Sequence, residues 1–230
     1  MRQVLGITAA LAILSSGAIR STPEQTSPPP VFHSAEVISA RSVAIPFNSV
    51  AIGMVELRVT IGKTGKVNDV EVVRDLPSVT DQSIQSVKSW VFKPAMLNGN
   101  PIASRLTVSV VFCPYTGPGP ISLSPVETGS KSDAPDANLP PMPAEIIAAG
   151  FPRDFNARTT SGTVVLQVAI GPDGQQGLVR VIRDTAPMTG VALEVVKDWK
   201  FAPASIGDRK IPSTIVLAFA FRPPQIYIPN

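Results

Sequence analysis

From Val55 to Ile61 the chain alternates, with Val55, Leu57, Val59 and Ile61 apolar and Glu56, Arg58 and Thr60 polar between them. A period of two predicts a strand with one dry face and one wet face. Gly62-Lys63-Thr64-Gly65 turns the chain, and Val67 to Arg74 forms the return strand of a hairpin. The period then lengthens: Ile84, Val87 and Trp90 fall three apart, which predicts a helix capped by Ser78 or Thr80 and stopped at Pro94. A turn at Asn98-Gly99-Asn100 leads to a last strand, where Leu106, Val108, Val110 and Phe112 alternate with Thr107 and Ser109.

The same pattern returns. Residues Gly53 to Phe112 align without insertion or deletion to Gly162 to Phe221 at an offset of 109, with 21 identities over sixty pairs. In the second copy Gly171-Pro172-Asp173-Gly174 explains the hairpin turn better than the first, because Pro presets φ and Gly takes the left-handed corner. Repetition at a fixed period predicts two modules of one fold class, α+β, each a three-stranded antiparallel or mixed sheet with a helix on one face. The helix brings the last strand back parallel to the second, and the right-handed crossover rule places it beside the first. Strand order is then second, first, last.

That order makes the last strand an edge with unpaired backbone groups. Leu106, Thr107, Val108, Ser109 and Val110, with Ile215, Val216, Leu217 and Ala218, are therefore the candidate partner-binding residues. Gly65, Trp90, Phe92, Pro94, Gly174, Trp199, Phe201 and Pro203 are expected to be structural, the tryptophans as core anchors. The copies differ on the wet face. Val165, Ala169, Val216, Ala218 and Ala220 make it apolar in copy two, so something must cover it: the upstream segment, the first module, or a partner protein.

Composition narrows the function. Residues 31 to 116 carry 8 basic and 6 acidic groups and residues 138 to 230 carry 9 and 7, with no basic cluster of the kind nucleic acid requires. Cys113 is the only cysteine, expected as a half-buried thiol just past a strand, so no internal disulfide forms. His33 is the only histidine and is expected to be solvated. No catalytic constellation, metal spacing or phosphate loop assembles, so no enzyme, cofactor or metal site is expected. Arg74-Asp75 and Arg183-Asp184 recur at the end of the return strand, as a surface ion pair or a helix-entry turn.

Ahead of the modules, Arg2 precedes an apolar run from Val4 to Leu14, and Ser16-Gly17-Ala18 offers small side chains to a signal peptidase. Residues 1–18 read as an export signal cleaved after Ala18, or as a short uncleaved anchor, so membrane contact is expected only in the uncleaved case. Residues 19–31 form a proline-rich leader, 32–113 the first module, 114–143 a Pro/Gly/Ser-rich linker, and 144–230 the second module.

The combination of the Gly62 to Gly65 turn, the return strand Val67 to Arg74, the Lys88 to Ala95 run with its Trp-x-Phe-x-Pro-Ala, and the strand Leu106 to Phe112 resembles the C-terminal domain of TonB-family energy transducers. Gly171 to Gly174, Val179 to Arg183, Lys197 to Ala204 and Ile215 to Phe221 repeat it. The resemblance implies a periplasmic protein that binds protein partners, outer-membrane TonB-dependent receptors among them, by strand addition at the last strand. Three readings follow: an exported binder, an anchored transducer serving TonB-type transport, or a structural envelope protein that pairs with another copy through the apolar face of module two. Residues 4 to 19 lack the histidine through which TonB anchors couple to their motor.

Overall fold

The computed structural model describes residues 31–46, 49, 51–114, 141–152 and 161–222. The expected export signal, most of the expected leader and residues 115–140 of the expected linker lie outside them. The first module runs β1 (Phe32–His33), β2 (Glu36–Ser39), β3 (Gly53–Ile61), β4 (Val67–Arg74), α1 (Thr80–Lys88), β5 (Val91–Lys93), β6 (Ala95–Leu97), β7 (Asn100–Ile102) and β8 (Ser104–Pro114). The second follows with β9 (Glu145–Ala148), β10 (Gly162–Ile170), β11 (Gln176–Arg183), α2 (Met188–Val196), β12 (Lys200–Ala202), β13 (Ala204–Ile206), β14 (Arg209–Ile211) and β15 (Ser213–Arg222).

Within each module the order is second, first, last: β4-β3-β8 and β11-β10-β15. The two sheets do not stand apart. β8 and β15 pair in parallel, from Thr107 opposite Ile215 to Pro114 opposite Arg222, and fuse them into one six-stranded sheet.

The seam explains itself through side-chain alternation. Twin residues are 109 apart, yet the paired residues are 108 apart, as in Val108 opposite Val216. In a parallel pair, opposed residues point to the same face, so a slip of one sends true twins to opposite faces. Val108 lies in the core under α1 with Val55, Leu57, Val59 and Val87, whereas its twin Leu217 lies in the core under α2 with Leu166, Val168, Ala192 and Val196. The two helices therefore cover opposite faces of the shared sheet, related by a pseudo-two-fold axis running along the seam.

Short strands close each module. Both helices end earlier than expected, at Lys88 and Val196, where Trp90 N–H and Trp199 N–H bond back to Val87 O and Val196 O. Pro94 and Pro203 are not the stops. The Trp-x-Phe segment is extended instead and pairs with the upstream strand, Phe92 opposite Val37 and Phe201 opposite Ile146. Neither helix carries a side-chain N-cap bond. Thr80 Oγ1 instead accepts from Leu76 N–H and donates to Asp75 Oδ1 at 2.6 Å, and Thr189 does the same with Thr185 and Asp184. The aspartate of each Arg-Asp pair is thus a helix-entry residue.

Candidate functional site

Each expected structural residue has a definable task. Gly65 and Gly174 sit at φ +80°, a left-handed corner that glycine adopts without strain. A Cβ there would lie 2.2 Å from Phe92 O and 2.7 Å from Phe201 O, so the hairpin turn packs directly on the backbone of the Trp-x-Phe strand. Pro94 and Pro203 close the same contact. Trp90 and Trp199 are buried against Phe92 and Phe201, and their indole N–H groups donate to Arg41 O and Gly150 O. His33 is exposed in β1.

The expectation of a free last strand does not hold in the folded chain. Leu106, Thr107, Val108, Ser109 and Val110 are all buried, as are Ile215, Val216, Leu217 and Ala218, because each last strand is the other's neighbour. A sequence signal for this exists in Ile215-Val216-Leu217-Ala218-Phe219-Ala220-Phe221, whose continuous apolar run suits a strand buried on both faces. Cys113 is drawn in by the same pairing. It lies inside β8 opposite Phe221, fully buried, and burial pushes its thiol far above the usual range.

The apolar face of module two is covered by the first module. Val165, Val216, Ala218 and Ala220 are at most 1% exposed, packed with Ala35, Val37 and Val43, while Ala169 is half-buried. Hydrogen bonds fix the cover: Val37 N–H donates to Gln167 Oε1 at 3.0 Å, Val43 N–H to Thr163 Oγ1 at 3.0 Å, and Thr214 Oγ1 to Ala35 O at 2.9 Å. In return the segment before β9 lies over module one, where Thr107 Oγ1 donates to Ala144 O at 2.5 Å. The upstream segment of each module pairs with its own Trp-x-Phe strand and roofs its sibling's sheet.

Charge follows the exchange. On module one, Arg58 reaches Glu71 at 3.0 Å and Glu145 at 3.5 Å. On module two the twin of Arg58 is Gln167, and the cation sits across the strand pair at Arg180, the twin of Glu71, bonded to Gln167 Oε1 and 3.5 Å from Glu36. Module one also buries Glu56, at 2% exposure, opposite Arg74 and Ser109. Loss of solvent pushes the Glu56 carboxyl above its ordinary range, against the pull of Arg74 and with the repulsion of Glu145. Glu56 Oε2 and Ser109 Oγ are buried without a hydrogen-bond partner.

The strand edges left unpaired among the described residues of the six-stranded sheet are those of β4 and β11. Module one offers Asp69, Glu71 and Val72 there. Module two offers Leu178, 78% exposed, and Val181, 40% exposed. Among the described residues no three His, Cys, Asp or Glu side chains converge as a metal would need, and no helix is long and apolar enough to cross a membrane.

Neither the curated proteins nor the solved structures contain a match. One family model does match, the Gram-negative bacterial TonB protein C-terminal domain, and it does so twice, over residues 51–114 and 148–223. Those segments bracket β3 to β8 and β10 to β15, the two halves of the fused sheet. Since they span well over half of the chain, the protein belongs to the TonB C-terminal family, with the domain present twice.

Proposed function

We propose that this chain is an exported, non-enzymatic binding protein of the cell envelope whose two TonB-type domains act as one body. The family is a protein-interaction domain of envelope-associated proteins, which supports an interaction role. The observation that carries the site is the outer edge of β11, an unpaired strand bearing the exposed Leu178 and Val181. With the seam strands occupied, an extended segment of an outer-membrane protein adds to that edge, its backbone completing the ladder and an apolar side chain covering Leu178. The signal at residues 1–18 is removed after Ala18, leaving a periplasmic chain that starts at Ile19.

A photo-crosslinking residue placed at Leu178 of the full chain in its native envelope captures an outer-membrane receptor, and Leu178→Asp abolishes capture without lowering the melting temperature. Capture from Ser109 in place of Leu178 would move the site to the seam. A mature N-terminus at Met1 would replace the soluble binder with an anchored one.

A further inference from the structure

The hairpin tip of module one carries chemistry that its twin lacks. β6 and β7 are joined by Asn98 and Gly99 alone, at φ +51° and +81°. Among the described residues Asn98 is the only non-glycine residue at a left-handed φ, and the twin tip has Gly207, at φ +55°, followed by Asp208. Turn geometry accounts for the backbone, since a tight hairpin favours asparagine and glycine at these places. It does not account for the side chain. Asn98 Oδ1 accepts from Val31 N–H at 2.9 Å while Asn98 N–H donates to Val31 O at 2.9 Å, so this residue clasps the chain where it enters β1.

An asparagine amide followed by glycine is open to attack by its own backbone. The Gly99 nitrogen, once its proton has passed to solvent base, bonds to Asn98 Cγ; the Cγ–Nδ2 bond breaks, ammonia leaves, and a cyclic imide remains. Water opens the imide at either carbonyl, giving aspartate or isoaspartate. Three features favour that path. Gly99 sets no side chain against the attacking nitrogen, and nothing lies within 4 Å of where its Cβ would be. Asn98 and Gly99 are exposed to base and water, at a tip where β6 and β7 pair only from Ala95 to Leu97, at the edge of a small sheet, so that it opens locally for the ring to close. Attack also turns Oδ1 into an oxyanion, and Val31 N–H is already aimed at it. Asn100 is exposed in the same hairpin, but the nitrogen after it belongs to Pro101 and has no proton to lose.

We propose that Asn98-Gly99 is a self-modification site, in which Val31 N–H is the oxyanion donor and the isoaspartate product releases β1 from the hairpin. Aspartate keeps an oxygen for Val31 N–H and holds the strand more tightly, as a charged acceptor does. Isoaspartate adds a carbon to the backbone inside the tight turn, so the clasp and the register of the tip are lost. Module two has no amide at Gly207 and does not follow. The site is independent of binding at the β11 edge.

The full chain, held in warm and mildly alkaline buffer, is mapped by mass spectrometry with fragmentation that separates isoaspartate from aspartate. Asn98 gains the amide-to-acid mass shift while Asn68 and Asn100 stay amides. Val31→Pro removes the donor, leaves the bond from Asn98 N–H to Val31 O in place, and changes an exposed side chain. It slows the conversion about tenfold, the worth of one hydrogen bond to a developing charge. In the isoaspartate fraction the Val31 amide loses its protection from hydrogen exchange, whereas Asn98→Asp keeps it. Conversion of Asn98 only in denaturant, an unchanged or faster rate in Val31→Pro, or an isoaspartate fraction with Val31 still protected would overturn the assignment.

Discussion

The two modules share a backbone plan yet bury their outward sheet faces by different chemistry. Module one roofs a polar row, with Glu56, Arg58, Thr107 and Ser109 beneath Ala144 and Glu145, whereas module two roofs Val165, Val216, Ala218 and Ala220 beneath Ala35, Val37 and Val43. The module-one roof rests on polar side chains, whereas the module-two roof adds to its hydrogen bonds from Val37, Val43 and Thr214 a continuous apolar contact. A polar interface loses heavily when one partner is removed, while an apolar one loses in proportion to the volume deleted.

The largest effect is expected in the helix-side cores on which the two roofed faces are backed, and there in module two. Phe219→Ala removes a ring that packs on Trp199 and Phe221, and about 4 kcal/mol of stability goes with it. Val110→Ala, at the twin position of module one, costs about half as much, by denaturant unfolding. Both unfold in a single transition, because the seam makes the halves one cooperative body; two separate transitions would break the comparison.

Next come the hairpin corners. Gly65→Ala and Gly174→Ala each cost about 3 kcal/mol from the left-handed φ and the clash with Phe92 O or Phe201 O. Gly65→Ala is the worse, since its Cβ would meet the carbonyl at 2.2 Å and not 2.7 Å. Thermal midpoints of the two variants check the order.

The polar row sets a pH dependence that module two lacks. Glu56 is raised in the folded state, so its protonated form is favoured there and its contribution to stability is fully present below the ordinary pKa of 4.5. That contribution is lost as pH rises through the elevated folded value. Stability measured from pH 4 upward therefore declines in the native chain, and Glu56→Gln flattens the decline. The smallest effect belongs to the rim: Glu145→Gln costs about 0.5 kcal/mol and fades in salt, as partly exposed ion pairs do.

Much of each module was legible in its residues. The alternation Val55 to Ile61 set the dry face, the twin turns set the hairpin, and the crossover argument put β8 beside β3, as observed. Two things were not. The helix end was misplaced because Trp90 keeps the three-residue spacing of Ile84 and Val87 while the backbone has already turned extended to pair Phe92 with Val37. That pairing partner lies more than fifty residues upstream, beyond what local periodicity reports. The seam escaped for a related reason: alternating Thr107 and Ser109 read as a solvated face, and only the roof from the other module, bonded at Ala144 O, explains hydroxyls that are buried.

The displaced cation, Arg58 in one half and Arg180 in the other, has a consequence for how such a molecule changes over time. In a dimer of identical chains every substitution is made on both sides of the axis at once, so a charge moved across one strand pair is moved across both. A fused pair is released from that rule. One gene copy can carry arginine where its mirror carries glutamine, and a buried acid where its mirror carries valine, so that two equal halves become a molecule with a left and a right.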